Sequence, residues 1–90
     1  MNKITKYNDP GHGWYRVPMS IVEQAESKGA RFTACSYQSK TGKYAYLEED
    51  CDASRFFAVM PRESFHIVSK HTNGQSPIRN YPNLRETVTV

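Results

Sequence analysis

The sequence has no long apolar run, and this absence sets the first limit on what the protein can be. The longest uninterrupted apolar stretch covers only residues 56–60, whereas a transmembrane helix needs roughly 20 apolar residues. The opening letters, MNKITKYNDP, contain no apolar core of the kind found in secretory signals. We therefore expect a cytoplasmic protein with no membrane partner.

Recognisable catalytic motifs are also missing. The chain contains no serine-histidine-aspartate signature, no glycine-rich phosphate loop, no dinucleotide fingerprint and no metalloprotease helix motif. Its two cysteines, Cys35 and Cys51, lack the paired spacing of a metal site and fit free thiols in a reducing compartment. We expect no enzyme activity, no catalytic residues, no metal and no cofactor.

Positive charge is present but is not concentrated. The net charge is +3, and no run of consecutive lysines and arginines occurs, although such runs dominate nucleic-acid affinity through counterion release. The acids are more clustered, because four of the nine lie within residues 48–52. Charge alone therefore leaves a nucleic acid or nucleotide as an alternative partner rather than the leading one.

The residues that are present predict one small globular domain. Hydrophobic residues make up 38% of the 90 positions, which is too much for a disordered chain of this length. We place the domain at residues 1–70, with an N-terminal loop over 1–13. Residues 71–90 turn polar and rich in turn formers, and we expect them to form a C-terminal tail or arm.

The order of predicted elements is β-α-β-β-α-β. They are a strand at 14–17, a helix at about 19–28, a hairpin over 30–38 and 43–49, a helix from residue 50 or 52 to Pro61, and a strand at 63–70. Ser20 and Glu23 have the spacing of a capping box, and Gly29 suits the residue that follows a helix. This order predicts the ferredoxin-like arrangement, an α+β fold with a small antiparallel sheet and both helices on one face. A looser α+β sheet is the alternative.

The hairpin sorts its side chains onto two faces. A two-residue loop at Lys40 and Thr41 would pair Tyr37 with Tyr44. In that register Ala45 and Leu47 lie on one side of the sheet. The opposite side carries most of the aromatic residues, and the predicted contacts there are Tyr37, Tyr44 and Tyr46, together with Trp14 and Arg16 or else Tyr15 from the first strand.

This aromatic face has three interpretations. Tyrosine, tryptophan and arginine are the residues that anchor protein interfaces, so the face could bind a foreign protein or a second copy of the chain as a homodimer. Cross-strand tyrosine pairs could also simply cover the sheet. Stacking of bases is the third interpretation. The tail adds Arg79 and Tyr81, either in a disordered end or in an arm that orders on a partner.

Two polar stretches are weaker candidates. His12 lies between two glycines in a turn-rich loop, and Asp9 could orient its imidazole, so this pair is a candidate ligand loop. The acids at 48–52 could hold a hard cation, but acids at the start of a helix more often cap it and oppose its dipole favourably. We expect the cap.

Four strings, DPGHGW, SYQ, YLEEDCDAS and SPIRNYP, resemble a family of small proteins encoded by tailed bacteriophages and prophages. The resemblance covers most of the chain, from Asp9 to Pro82, and it departs near VMPRESF, where a longer second helix is usual. It implies that the protein acts in the cytoplasm of an infected bacterium, but it does not indicate which activity the protein has or which residues carry it. Such proteins are commonly non-enzymatic modulators of the host, so the resemblance implies stoichiometric binding to a host protein, with a defence component as one possible class of target.

Overall fold

A computed structural model describes residues 2–85 of the chain. It shows a small α+β domain with a five-stranded mixed sheet and two helices. The strands are β1 (Asn2–Asn8), β2 (Gly13–Pro18), β3 (Tyr37–Gln38), β4 (Tyr44–Glu48) and β5 (Phe65–His71), and the helices are α1 (Met19–Ser27) and α2 (Asp52–Val59). Short 3₁₀ turns occupy Arg62–Ser64 and Pro77–Asn80.

The α+β class is confirmed, but the sheet order differs from the ferredoxin-like one. The strands lie in the order β3-β4-β2-β1-β5, whereas the predicted arrangement would place β2 directly beside β5. The inserted strand is β1, which pairs antiparallel with β2 and parallel with β5. This parallel pair is why the sheet is mixed rather than wholly antiparallel.

Strand β1 lies in the part of the sequence that we expected to be a loop. Its side chains alternate between the two sides of the sheet, because Ile4 is fully buried on the helix side while Tyr7 lies on the opposite side. The β-branched and aromatic residues Ile4, Thr5 and Tyr7 suit a strand. Lysine and asparagine between them weaken the apolar pattern, which is why the strand was missed.

Both helices lie where the sequence predicted them, but their caps differ. Helix α1 begins after Pro18 and no side chain caps it, so the Ser20–Glu23 capping box is not formed. Gly29 follows the helix with φ of +104°, and its N–H bonds the Glu26 carbonyl. That conformation favours glycine because a side chain would be strained there.

The hairpin between β3 and β4 has a longer loop than expected. Tyr37 pairs with Tyr46 rather than with Tyr44, because a turn over 39–42 replaces the two-residue loop. The shift is an even number of residues, so the predicted assignment of side chains to the two faces still holds for β4. Ala45 and Leu47 face the helices, and Tyr46 faces away from them.

The main hydrophobic core lies between the sheet and the two helices. It is built from aliphatic residues and phenylalanines, with Ile4, Val17, Val22, Leu47 and Phe56 fully buried. Apolar burial of this kind is the main stabilising contribution in a small domain. The helices thereby cover one face of the sheet and leave the opposite face, which we call the second face, for the rest of the chain.

Residues 72–85, here named the return segment, cover much of the second face. The segment leaves β5, crosses the sheet and reaches the far edge, where the Pro82 carbonyl accepts a hydrogen bond from the Gln38 N–H. Ile78 is buried against Trp14 and Tyr46 in a second core. The expected tail is thus packed against the domain over the described residues, and residues 86–90 of that prediction lie outside them.

Candidate functional site

The seven residues predicted to contact a partner lie together on the second face of the sheet. Strands β2, β3 and β4 contribute five and the return segment contributes two. They are Trp14, Arg16, Tyr37, Tyr44, Tyr46, Arg79 and Tyr81. Of the two alternatives for β2, the structure selects Trp14 and Arg16, because Tyr15 faces the helices.

The second face is not the open aromatic surface that we expected. Trp14 is 2% exposed and Tyr46 is 8% exposed, because Ile78 and Tyr81 pack on them. Tyr44 is the one large hydrophobic residue in the described chain that is clearly exposed, at 37%. A homodimer is not needed to cover this face, since the chain's own return segment covers it.

A buried ion pair holds the return segment in place. The Arg79 guanidinium donates to both oxygens of the Asp9 carboxylate, from Nε at 2.7 Å and from Nη2 at 2.9 Å. Three backbone N–H groups, those of Gly11, His12 and Ser76, donate to the same carboxylate at 2.9–3.0 Å. Arginine and these N–H groups hold the pKa of Asp9 well below its usual range.

Asp9 therefore joins two loops rather than orienting a histidine ring. Its carboxylate accepts the backbone N–H of His12, while the His12 imidazole lies 3.3 Å from a Glu48 carboxylate oxygen. The sequence prediction brought Asp9 and His12 together correctly but assigned their contact to the wrong atoms. The carboxylate has its hydrogen-bonding capacity filled by five donors.

Trp14 lies next to the Asp9–Arg79 ion pair. The Arg79 guanidinium carbon lies 5.4 Å from the centre of the Trp14 ring, and Tyr37 meets the ring edge-on with centroids 6.4 Å apart. The indole Nε1 is the one buried side-chain nitrogen or oxygen in residues 2–85 that has no hydrogen-bond partner. A small cavity of about 120 Å³ adjoins the ring, between His12, Cys35 and Glu48.

Two larger recesses flank Tyr7 on the second face. The tyrosine cleft, about 290 Å³, is lined by Tyr7, Arg16, Tyr46, Tyr81 and residues 76–78. The lysine recess, about 240 Å³, is lined by Asn8, Lys70, His71 and Thr72 and shares Tyr7, Ser76 and Pro77 with the cleft. Both recesses exist because the return segment crosses the sheet without filling the space above β1.

The rings in the tyrosine cleft are tilted against one another rather than stacked. Tyr46 lies 6.2 Å from Tyr7 and 5.2 Å from Tyr81 between ring centroids, with interplanar angles of 54° and 60°. Burial raises the pKa of Tyr46, with Tyr81 adding to the shift. The Tyr46 phenol group therefore stays protonated at neutral pH and can both donate and accept hydrogen bonds.

The cations beside these recesses, Arg16 and Lys70, contact tyrosine rings. The Arg16 guanidinium carbon lies 4.8 Å from the centre of Tyr44 and 5.8 Å from Tyr7, and the Lys70 ammonium lies 6.0 Å from Tyr7. Within residues 2–85 neither cation forms an ion pair. These cation–π contacts orient the charges toward the recesses without neutralising them.

The acids at 48–52 make different contacts and do not form a single site. Asp52 is fully buried and its carboxylate accepts from the Ser36 hydroxyl at 2.6 Å and from the Thr33 N–H. Glu49 pairs with Lys6 at 3.1 Å. Asp52 lies in the first turn of α2, where an acid is favourable, but the N-cap residue is Cys51 and no side chain caps the helix. The predicted side-chain cap is thus not formed, and only the favourable interaction of the Asp52 charge with the helix dipole remains.

One group of potential metal ligands does converge. His12, Glu48 and Asp50 each offer one ligand atom, and these atoms lie within 4.8 Å of one another. Imidazole with two carboxylates is a ligand set that divalent transition metals accept. His12 and Asp50 are exposed, and surface acids commonly gather in this way without an ion.

The two cysteines are free thiols. The Thr33 hydroxyl is hydrogen-bonded to the Cys51 thiol and lowers the pKa of Cys51, but the neighbouring Cys35 thiol and burial raise that pKa on balance. A raised pKa keeps the thiol protonated and weakly nucleophilic. This gives no support to a cysteine nucleophile.

Tyr7, Lys70 and residues 76–78 are the site residues that the sequence did not reveal. Tyr7 falls in the missed strand, and Lys70 joins it because β5 pairs with β1 in the register Tyr7↔Lys70. The alternation of Thr5 and Tyr7 with buried Ile4 was the available signal. No local pattern could show that β5 would lie beside it.

Comparison of the chain with protein-family models, with curated proteins and with solved structures finds no match in any of the three. Within residues 2–85, no helix is long and apolar enough to cross a membrane. The function must therefore be argued from the arrangement on the second face.

Proposed function

We propose that this is a small phage-encoded binding protein without catalytic activity, which modulates or inhibits a host protein by occupying it. A component of host defence is the target class that the resemblance to phage proteins suggests. The observation that carries the proposal is the contact between exposed Tyr44 and half-buried Arg16, whose guanidinium carbon lies 4.8 Å from the Tyr44 ring centre and which also lines the tyrosine cleft. Tyrosine and arginine over a concave apolar floor have the composition of an interface hot spot.

The rigidity of the surface supports binding. The return segment is held by the five donors on Asp9 and by the buried side chains of Ile78 and Leu84. A surface that is already ordered loses little conformational entropy when it docks. The cleft is therefore suited to stoichiometric binding of a partner.

The experiment is a capture of partners from bacterial host lysate by the full chain, read by native mass spectrometry. We expect one host protein at a fixed ratio. The double variant Tyr44→Ala, Arg16→Gln should weaken its retention at least about tenfold, because two anchors near the centre of the contact are lost. Both side chains lie at the surface or half-buried, so the circular dichroism spectrum should not change.

Lys28→Gln is the matched control, because Lys28 is an exposed cation at the end of α1. It should leave retention intact. Unchanged retention by the double variant would remove the second face from the proposal. Loss of target function at ratios of this protein to target far below one would contradict a stoichiometric mechanism.

A nucleotide or single-stranded nucleic acid is the second candidate. Three tyrosines and Arg16 line one cleft of about 290 Å³, and aromatic rings beside a cation are how many proteins hold single strands. This candidate predicts salt-sensitive binding of short single strands. A titration at low salt that shows no binding would count against it.

A further inference from the structure

The distribution of charge on the second face indicates the chemistry of the partner. On this face Arg79 contacts a carboxylate, that of Asp9. Within residues 2–85 neither Arg16 nor Lys70 forms an ion pair, although both lie over Tyr7 from neighbouring strands.

The one acid of β4 that lies near this face, Glu48, is occupied by His12 at 3.3 Å. The two recesses beside Tyr7 therefore carry positive charge that the described chain does not balance. A negatively charged group would complement it.

The aromatic residues distinguish between two kinds of anionic partner. A base needs an open ring face on which to stack, but Trp14 and Tyr46 are buried under the return segment. Tyr44 is exposed, yet the Arg16 guanidinium lies 4.8 Å from its centroid. A carboxylate needs no ring face, because guanidinium, ammonium and phenol groups can bind it at their edges. The arrangement favours an acidic protein over a nucleic acid.

The size of the cleft also fits a protein segment. A cavity of about 290 Å³ lies at the lower limit of ordinary small-ligand pockets, about 300 Å³. Ile78 and the Tyr46 ring give the cleft apolar surface, while Arg16 and Ser76 give it polar surface. One apolar or aromatic side chain with an acidic neighbour would satisfy both parts.

We propose that the partner binds through an acidic segment, which places a carboxylate between Arg16 and Lys70 over Tyr7 and an apolar side chain in the tyrosine cleft. The inference rests on the proposed function, because it names the chemistry of the partner at the same surface. The lysine recess extends the contact past Tyr7 to Lys70 and His71, so the segment would run across β2, β1 and β5.

The test is an NMR titration of the full ¹⁵N-labelled chain with three probes. They are the capped peptide Glu-Glu-Tyr-Glu-Glu, its counterpart with glutamine in place of glutamate, and a short oligothymidylate. We expect the acidic peptide to shift the amide signals of Tyr7, Lys70 and Ser76. The glutamine peptide should bind several-fold more weakly, since it lacks the charges.

Arg16→Gln and Lys70→Gln should each weaken the acidic peptide about twofold to fivefold, as expected for losing one exposed ion pair. Lys28→Gln removes the same charge elsewhere and should not change the affinity. Equal losses in Lys28→Gln and Lys70→Gln would show a mere net-charge effect and overturn the inference.

Two other outcomes also overturn it. Equal binding of the two peptides would show that charge does not select the partner, and oligothymidylate binding at these amides without peptide binding would make nucleic acid the ligand. Either result is separable from failure of the proposed function. That failure would appear as unchanged retention of the host protein by the Tyr44→Ala, Arg16→Gln variant.

Discussion

The two faces of the sheet are covered in different ways. On the helix face, α1 and α2 bury a continuous core of aliphatic residues and phenylalanines. On the second face, an irregular segment packs Ile78 against Trp14 and Tyr46 in a smaller apolar cluster, and it is held by a charged pair. Apolar burial is non-directional and nearly independent of pH, whereas an ion pair depends on geometry and protonation.

This difference separates stability from binding. A core packed by two helices leaves little space between side chains, while a segment without regular structure leaves recesses beside Tyr7. Arg16 and Lys70 line those recesses. The comparison attributes stability mainly to the helix face, and under the proposed function the second face is the one that binds the partner.

The largest expected effect is on the helix face. Phe56→Ala should lower the free energy of unfolding by about 3–5 kcal/mol, because Phe56 is fully buried and the deletion leaves a cavity. Phe57 and Phe65 pack on its ring with centroids 5.2 Å and 5.5 Å away. Urea denaturation measures the loss. A cost below about 1 kcal/mol would show that the helix face is not the main source of stability.

The next effect concerns the Asp9–Arg79 ion pair that holds the return segment on the second face. Asp9→Asn should lower the unfolding midpoint at pH 7, since the neutral amide cannot satisfy Arg79 and three N–H groups. The folded-state pKa of Asp9 is lowered, so its stabilisation is present above the unfolded value, about 3.9, and is lost as pH falls. The difference in unfolding midpoint between the wild type and Asp9→Asn should therefore become smaller below about pH 4.

Asp50→Asn is the control for that series, because Asp50 is an exposed carboxylate that loses the same charge. Thermal unfolding followed by circular dichroism from pH 7 to pH 3 measures both variants. A gap for Asp9→Asn that stays constant with pH would contradict the ionic role of the carboxylate.

The smallest effect on stability is expected at Tyr44. Tyr44→Ala should change the free energy of unfolding by no more than about 0.5 kcal/mol, as at other exposed positions. Tyr46→Ala, two residues along the same strand, should cost about 3 kcal/mol because Tyr46 is buried. If urea denaturation gave similar losses of unfolding free energy for the two variants, Tyr44 would be part of the core rather than an exposed residue.

Much of the secondary structure could be predicted, and the reason is local. Helix α1 follows from the helical spacing of Ile21, Val22 and Ala25 and ends at Gly29, and the faces of β4 follow from alternation. The register of the hairpin was off by two positions, since loop length depends on the turn that forms at 39–42. Strand β1 was missed because its lysines and asparagines hide the apolar pattern.

The candidate site was predicted in its composition but not in its form. The seven aromatic and basic residues named from the sequence share one side of the sheet. Their exposure was not predictable, because Arg79 pairs with Asp9 seventy positions away in the chain. Side chains so far apart meet only when the whole chain has folded.

The sequence by itself determined the α+β class, the two helices and which side of β4 carries the tyrosines, because these follow from short-range periodicity. The tertiary structure decided that β1 enters the sheet between β2 and β5 and that the return segment covers the second face. It thereby decided which cations keep no counter-charge. Those outcomes depend on long-range pairing, in which strands, loops and charges compete for partners that no local pattern specifies.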